Sequence, residues 1–218
     1  MYDLHRSPPE KRNKVKSSEA KPEKGPEKVW LLGASTGGLA AIRQFLSAIP
    51  VRNDLAFVYA QHIGVQQLPV VMKMIETHGG WPAHEPSTGQ MIKPGTVTVI
   101  SPQFETRFSK QGWLLRFSSP WRGQYAPSID QLANRLAQLY RHDFGAIIFT
   151  GMGSDGARGC QAIKEYAGQV WVQDPHGCTA PSMPEAVMAR CKIDFAGTVE
   201  ELAKRLQEDE IKMEVCRQ

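Results

Sequence analysis

The chain has 218 residues, 41% of them hydrophobic, and a formal net charge of +4, which suits one sizeable globular domain and argues against a second of similar size. The first 28 residues hold eight Lys/Arg, five Asp/Glu and four prolines, so most of the basic excess is concentrated there and a nucleic-acid surface on the rest is not expected. With no apolar leader and no run of about 18 apolar residues, neither secretion nor insertion into a membrane is expected.

Residues 1–28 contain too few large apolar side chains to offset the entropy of ordering, and read as a disordered basic tail or linker. The folded domain is then 29–218. Its first element is the apolar strand 29–33, which gives way at Gly33-Ala34-Ser35-Thr36-Gly37-Gly38 to an amphipathic helix over 38–48. Further strands are predicted at 55–60, 145–150 and 169–173, and helices near 67–78, 128–141, 157–167, 183–190 and 198–208. In the middle, 96–100 and 113–117 read as the two arms of a hairpin-like insertion. Short apolar runs alternating with helical patterns predict an α/β fold in three layers: a mostly parallel, doubly wound sheet with helices on both faces and a mid-chain β-hairpin. The stripe Leu132, Leu136, Leu139 and Tyr140 predicts the core face of its helix.

The turn at 33–38 sets a serine between strand and helix with glycines on either side. A phosphate-binding loop of the Walker type would need Lys and Ser/Thr after Gly38, where Leu39 and Ala40 stand. A dinucleotide fingerprint would need glycine in place of Ser35. The spacing is that of G-x-S-x-G, at Gly33, Ser35 and Gly37, which presents a nucleophile; a capping serine in a Gly-rich turn is the plainer alternative. Two other residues occupy equivalent places. His62 follows the second strand, and Asp155 follows the third in Thr150-Gly151-Met152-Gly153-Ser154-Asp155-Gly156. Taken singly, His62 reads as a packed or hydrogen-bonded residue and Asp155 as the N-cap of helix 157–167.

Open α/β sheets assemble their sites at the carboxyl ends of the strands. A serine hydroxyl needs a base to take its proton, and the imidazole needs a carboxylate to orient it. Ser35, His62 and Asp155 supply these three groups in the chain order Ser…His…Asp, which differs from the orders of the α/β-hydrolases, chymotrypsin and subtilisin. The cysteines, Cys160, Cys178, Cys191 and Cys216, show no C-x-x-C spacing, so no metal site is expected and a reducing compartment fits. His176 and Cys178 form a second, weaker candidate pair.

Gly-Ala-Ser-Thr-Gly-Gly at 33–38, Gln61-His62, Pro127-Ser128-Ile129-Asp130, Thr150-Gly151-Met152-Gly153-Ser154-Asp155-Gly156-Ala157 and Met183-Pro184-Glu185-Ala186 resemble, in that order, the catalytic domain of the chemotaxis protein-glutamate methylesterases, the CheB family. The resemblance runs from about Val29 to Leu206. It implies a carboxylic ester hydrolase, acting in the cytoplasm, that removes methyl esters from glutamate side chains on the helical bundle of methyl-accepting chemotaxis receptors. Deamidation of receptor glutamines is implied as a related activity. It implies Ser35 as nucleophile, His62 as base and Asp155 as the orienting acid, with backbone N–H groups at Thr36 and Met152 as oxyanion donors. No metal or organic cofactor is implied. A silent receptor-binding scaffold and a small-molecule serine esterase are the alternatives.

Two departures accompany the resemblance. Family enzymes usually carry an N-terminal phosphoacceptor domain, whereas 28 tail residues stand here, as expected of a stand-alone esterase or of an interdomain linker. Segments 101–107 and 174–182 also diverge from the family pattern, and both are expected to border the substrate cleft. Arg43, Arg122 and Arg158 are candidate contacts to acidic receptor helices, with solvated surface as the default.

Overall fold

A computed structural model describes residues 25–215, with side chains to residue 208; residues 1–24 of the expected tail, and Cys216, lie outside the described residues. The elements in chain order are β1 (Lys28–Ala34), α1 (Gly38–Ser47), β2 (Leu55–Gln61), α2 (Leu68–Met74), β3 (Ala83–His84), β4 (Val97–Val99), β5 (Thr106–Phe108), β6 (Leu114–Arg116), α3 (Ile129–Tyr140), β7 (Phe144–Ile148), α4 (Ala157–Glu165), β8 (Gln169–Gln173), α5 (Ser182–Arg190), β9 (Phe195–Gly197) and α6 (Val199–Val215).

Seven strands form one sheet in the order β3-β4-β2-β1-β7-β8-β9, with every pair parallel. β1 is buried over six of its seven residues, as expected of a central strand covered on both faces. Successive side chains point to opposite faces: Val29 and Leu31 join the core under α3, α4 and α5, while Trp30 and Leu32 join the core under α1, α2 and α6. Helices therefore cover both faces, and the three-layer, doubly wound architecture follows. Among the described residues, no helix is long and apolar enough to cross a membrane.

The mid-chain hairpin is present, but its arms differ from the expectation. Residues 97–99 join the main sheet as β4, parallel to β2 with Phe57 opposite Val97. The true partner of the second arm is β5, so β5 and β6 pair antiparallel with Thr106 opposite Arg116. Val97, Thr98 and Val99 are all buried, and burial on both faces is available only inside the main sheet. β3 and β9, of two and three residues, are too short to show a period. The helix expected over 67–78 is α2 flanked by a 3-10 turn, Val65–Gln67, and a π turn, Ile75–Gly79.

The core on the α1 side is strongly aromatic. Phe45 is fully buried and meets Phe149 and Phe57 edge-on, with centroids 5.3 and 6.0 Å away, the geometry that ring quadrupoles favour. Leu132 and Leu136 are buried in the opposite core, with Leu139 and Tyr140 packed against it. Phe45→Ala is expected to lower unfolding free energy by about 3–5 kcal/mol, measured by urea denaturation.

Candidate active site

β1 lies between β2 and β7, so the chain winds outward from β1 in both directions and the carboxyl ends of these three strands open on one crevice. Ser35 follows β1, His62 follows β2 and Asp155 lies beyond β7. Ala34 pairs with Gln61, and His62 N–H donates to the Ala34 carbonyl at 3.2 Å. Ser35 and His62 are thus neighbours, each one residue beyond a matched pair.

Asp155 is fully buried. Its Oδ2 lies 2.9 Å from His62 Nε2 and also accepts from Ile129 N–H at 2.8 Å. Its Oδ1 accepts from Asp130 N–H at 2.9 Å and Gly156 N–H at 3.1 Å. The carboxylate therefore sits against the first turn of α3, whose unpaired N–H groups and positive dipole end favour a negative charge. This differs from a cap on the helix that follows it in sequence. That cap comes from Asp130, whose Oδ1 accepts from Gly156 and Gly159 N–H at 3.0 and 2.8 Å. The two helices exchange carboxylates: each is held at its N-terminus by an Asp borne by the other segment.

His62 Nε2 is engaged by Asp155, leaving Nδ1 as the nitrogen without a partner among the described residues. The imidazole is stacked on Tyr125, with centroids 5.2 Å apart and planes 8° from parallel. Tyr125 Oη in turn accepts from Ser154 N–H at 3.2 Å, tying the stack to the loop that carries Asp155.

The Ser35 turn is held on three sides. Ser35 N–H donates to the Thr150 carbonyl at 3.1 Å, and Gly38 N–H donates to the Ser35 carbonyl at 2.9 Å. The buried Gln61 amide donates to that same carbonyl at 2.6 Å and accepts from Tyr59 Oη at 2.7 Å; burial pushes the Tyr59 pKa upward, so the phenol remains the donor. Gly37 adopts φ 82°, a left-handed conformation that costs other residues. A Cβ on Gly151 would lie 2.8 Å from Ser35 Cβ and 2.2 Å from Met183 Sδ, so glycine there permits the close approach of the two loops.

Segment 174–182 is sewn to the same edge. Thr150 Oγ1 has the Thr36 and Ala180 carbonyls, at 2.9 and 3.2 Å, as acceptors for its single proton, and accepts from Ala180 N–H at 2.9 Å. Gln173 is buried; its Oε1 accepts from Thr150 N–H at 2.9 Å and its amide donates to the Gly177 carbonyl at 3.1 Å. His176 turns to Asp174 at 3.0 Å, while the Cys178 thiol donates to the Asp174 carbonyl at 3.4 Å. Burial pushes the Cys178 pKa to about 11, so its thiol stays protonated and the pair is not an activated nucleophile.

Of the five residues expected in the site, His62 and Asp155 are in direct contact, and Ser35 stands beside His62. Ser35 Oγ makes no hydrogen bond among the described residues. Thr36 lies in the Ser35 turn and Met152 follows Gly151, which packs against that turn; Met152 is 64% exposed, and the backbone N–H groups of both have no acceptor among the described residues. Sequence reasoning missed Tyr125, Gln61 and Gln173 as parts of the site. Gln61 stands beside His62 in the Gln-His pair, which was the one available signal; nothing local marks Tyr125 or Gln173. No group of three His, Cys, Asp or Glu suited to a metal occurs among the described residues.

Burial pushes the Asp130 carboxyl above its usual range, opposed by the Gly159 N–H and reinforced by the Asp155 charge. A raised carboxyl pKa means that the folded state holds the proton more tightly, so this contribution to stability falls as pH rises from the ordinary carboxylate range through the raised value. Asp130→Asn keeps an oxygen for Gly156 and Gly159 and removes the titration. Its stability relative to the parent is expected to improve as pH rises above the ordinary carboxylate range, about pH 4, read by urea denaturation across a pH series.

The family model described as CheB methylesterase matches residues 30–206. A Saccharophagus degradans protein named protein-glutamate methylesterase/protein-glutamine glutaminase 1 is 28% identical over 194 residues, covering 88% of this chain and 53% of that protein; the chain spans about half that relative's length. A Leptospira interrogans relative is 29% identical over 175 residues, 80% of this chain and 90% of its own length. The crystal structure of the Thermotoga maritima CheB methylesterase catalytic domain has the same fold, with a TM-score of 0.77 at 24% identity over 85% of this chain and 98% of that one. With a family model running from within β1 into α6 and covering the crevice residues, the chain belongs to the CheB methylesterase family.

Proposed function

We propose that this protein is a cytoplasmic serine hydrolase that cleaves γ-glutamyl methyl esters on the helical bundle of methyl-accepting chemotaxis receptors, with residues 29–218 as its catalytic unit. The observation that carries this reading is the buried Asp155 carboxylate 2.9 Å from His62 Nε2, one residue beyond the Ala34–Gln61 pair that sets His62 beside Ser35. In this assignment Ser35 is the nucleophile, His62 the general base and Asp155 the group that orients it. A buried carboxylate on Nε2 fixes the tautomer that leaves Nδ1 free to accept a proton, and it stabilises the imidazolium formed during attack.

Ser35 Oγ attacks the ester carbonyl carbon as its proton passes to His62 Nδ1. The carbonyl oxygen becomes an oxyanion, for which the unpaired N–H groups of Thr36 and Met152 are the available donors; one such donor is worth about 3–4 kcal/mol at the transition state. The intermediate collapses as His62 returns the proton to the departing methoxide, and methanol leaves. Water then attacks the acyl-serine by the same route, freeing a glutamate carboxylate and the Ser35 hydroxyl. The Ser35–His62 hydrogen bond, unformed here, closes when substrate occupies the crevice. A glutamine side chain passes through the same intermediate with ammonia leaving, which supports deamidation as the companion activity.

The groove bordered by Tyr125 and Asp155 is open and lined mostly by polar and charged side chains, which suits a helix of another protein better than a small metabolite, for which an enclosed apolar cavity would be called for. The three side chains are present together, which favours an enzyme over a silent scaffold. Ser35→Ala and His62→Gln are each expected to reduce methanol release from methylated receptor by at least about 10³-fold with folding intact by circular dichroism. A fluorophosphonate is expected to label the parent at Ser35. Methanol release that survives Ser35→Ala would refute the assignment.

A further inference from the structure

Beside the crevice lies an open groove of ≈ 1360 Å³ between the β5–β6 hairpin and helices α3, α4 and α5. Tyr125, Ser154 and Asp155 border it, so it runs directly into the site where Tyr125 stacks on His62. Five arginines line it: Arg107, Arg122, Arg135, Arg158 and Arg190. Arg107 is neutralised by a two-point bond to Glu105, at 2.6 and 2.9 Å. None of the other four forms an ion pair among the described residues, although the Arg122 charge adds to that of Arg107 in holding the Glu105 carboxyl below its usual range. Arg135 donates to the Phe108 carbonyl and to Gln138, which holds its guanidinium at the wall. Arg190 donates to Gln161. Arg122 and Arg158 are exposed and make no side-chain hydrogen bond among the described residues.

Resting on the esterase reading above, we infer that this groove docks the acidic face of the helix that carries the ester, and that its arginines read the free carboxylates beside the reacting side chain. A methyl ester is small and neutral, so it provides little binding energy of its own, and the affinity for a protein substrate comes from its remoter parts. On a helix, the residues three and four positions away share the face of the reacting side chain. A glutamate at those positions pairs with a guanidinium through two parallel bonds, whereas a glutamine or a methyl ester carries no charge to pair. The acidic groups of the groove are interspersed with its cations: Glu105 is bound to Arg107, and Asp130 and Asp155 are committed to helix N-termini. Discrete cationic points of this kind match separate carboxylates better than the continuous phosphate surface of a membrane or a nucleic acid. The consequence is an order of events: each ester hydrolysed leaves a carboxylate that strengthens docking for its neighbour.

The test uses the full chain and two fluorescein-labelled helical peptides that differ only in bearing Glu or Gln at three and four residues on either side of one central glutamine. Fluorescence anisotropy is expected to give about tenfold tighter binding of the Glu peptide, equivalent to about 1.4 kcal/mol, with the gap narrowing as salt rises. The double variant Arg122→Gln, Arg158→Gln is expected to lose the preference, and Arg122→Lys, Arg158→Lys to retain part of it. Equal affinity for the two peptides overturns the inference, as does binding of phosphatidylglycerol vesicles through these arginines in place of the Glu peptide. Methanol release from methylated receptor by the full chain is measured separately. Its failure overturns the esterase reading, while the binding comparison reports on the groove alone.

Discussion

A fully buried carboxylate that accepts three backbone N–H groups and contacts an imidazole is the interaction around which this molecule is arranged. Removing a carboxylate from water is costly unless its lone pairs are satisfied. Asp155 meets that condition by occupying the N-terminus of α3, where free N–H groups are already aligned. The remaining direction of the carboxylate is spent on His62. The packing of α3 against the sheet and the orientation of the imidazole are therefore one structural fact.

The exchange with Asp130 extends the same logic. Asp130 lies in the first turn of α3 and caps α4, while Asp155 precedes α4 and caps α3. Neither helix N-terminus is complete without the other segment, so the loop bearing Asp155 cannot shift independently of α3. Two buried glutamines perform a comparable service at the neighbouring strand ends: Gln61 anchors the Ser35 carbonyl, and Gln173 anchors the Thr150 N–H. The crevice is consequently lined by loops whose backbone groups are individually tied to side chains from adjacent strands. Such anchoring keeps the proposed nucleophile, base and oxyanion donors in register without a metal or prosthetic group in the proposed steps.

The contrast between what was legible and what was not follows from range. The strands at 29–33, 55–60 and 169–173 were visible because buried parallel strands are near-continuous apolar runs, and Ser35 and His62 could be placed at strand ends for that reason. Residues 97–99 carry the same kind of short apolar signal, yet whether they pair with β2 or with 113–117 depends on which partner buries them on both faces. Tyr125 gave no signal at all, since its role exists only once residue 62 is brought against it by the sheet. The groove arginines are similarly ambiguous: local sequence leaves Arg122 and Arg158 between solvated surface and contacts to an acidic helix, and only the packing of the hairpin, α3 and α4 sets them along one channel.

The amino-acid sequence by itself determined the alternation of strands and helices, the serine turn between its glycines and the identity of the polar groups at three strand ends. These are properties of local period, backbone sterics and side-chain chemistry, which act over a few residues. Only the tertiary structure decided that β1 lies between β2 and β7, and hence that residues 93 positions apart in the chain, His62 and Asp155, share a hydrogen bond. It also decided that Asp155 would cap α3 rather than the helix following it. Strand order and helix-end partnership are set by how whole faces bury against one another, and that competition is written across the chain rather than at any one position in it.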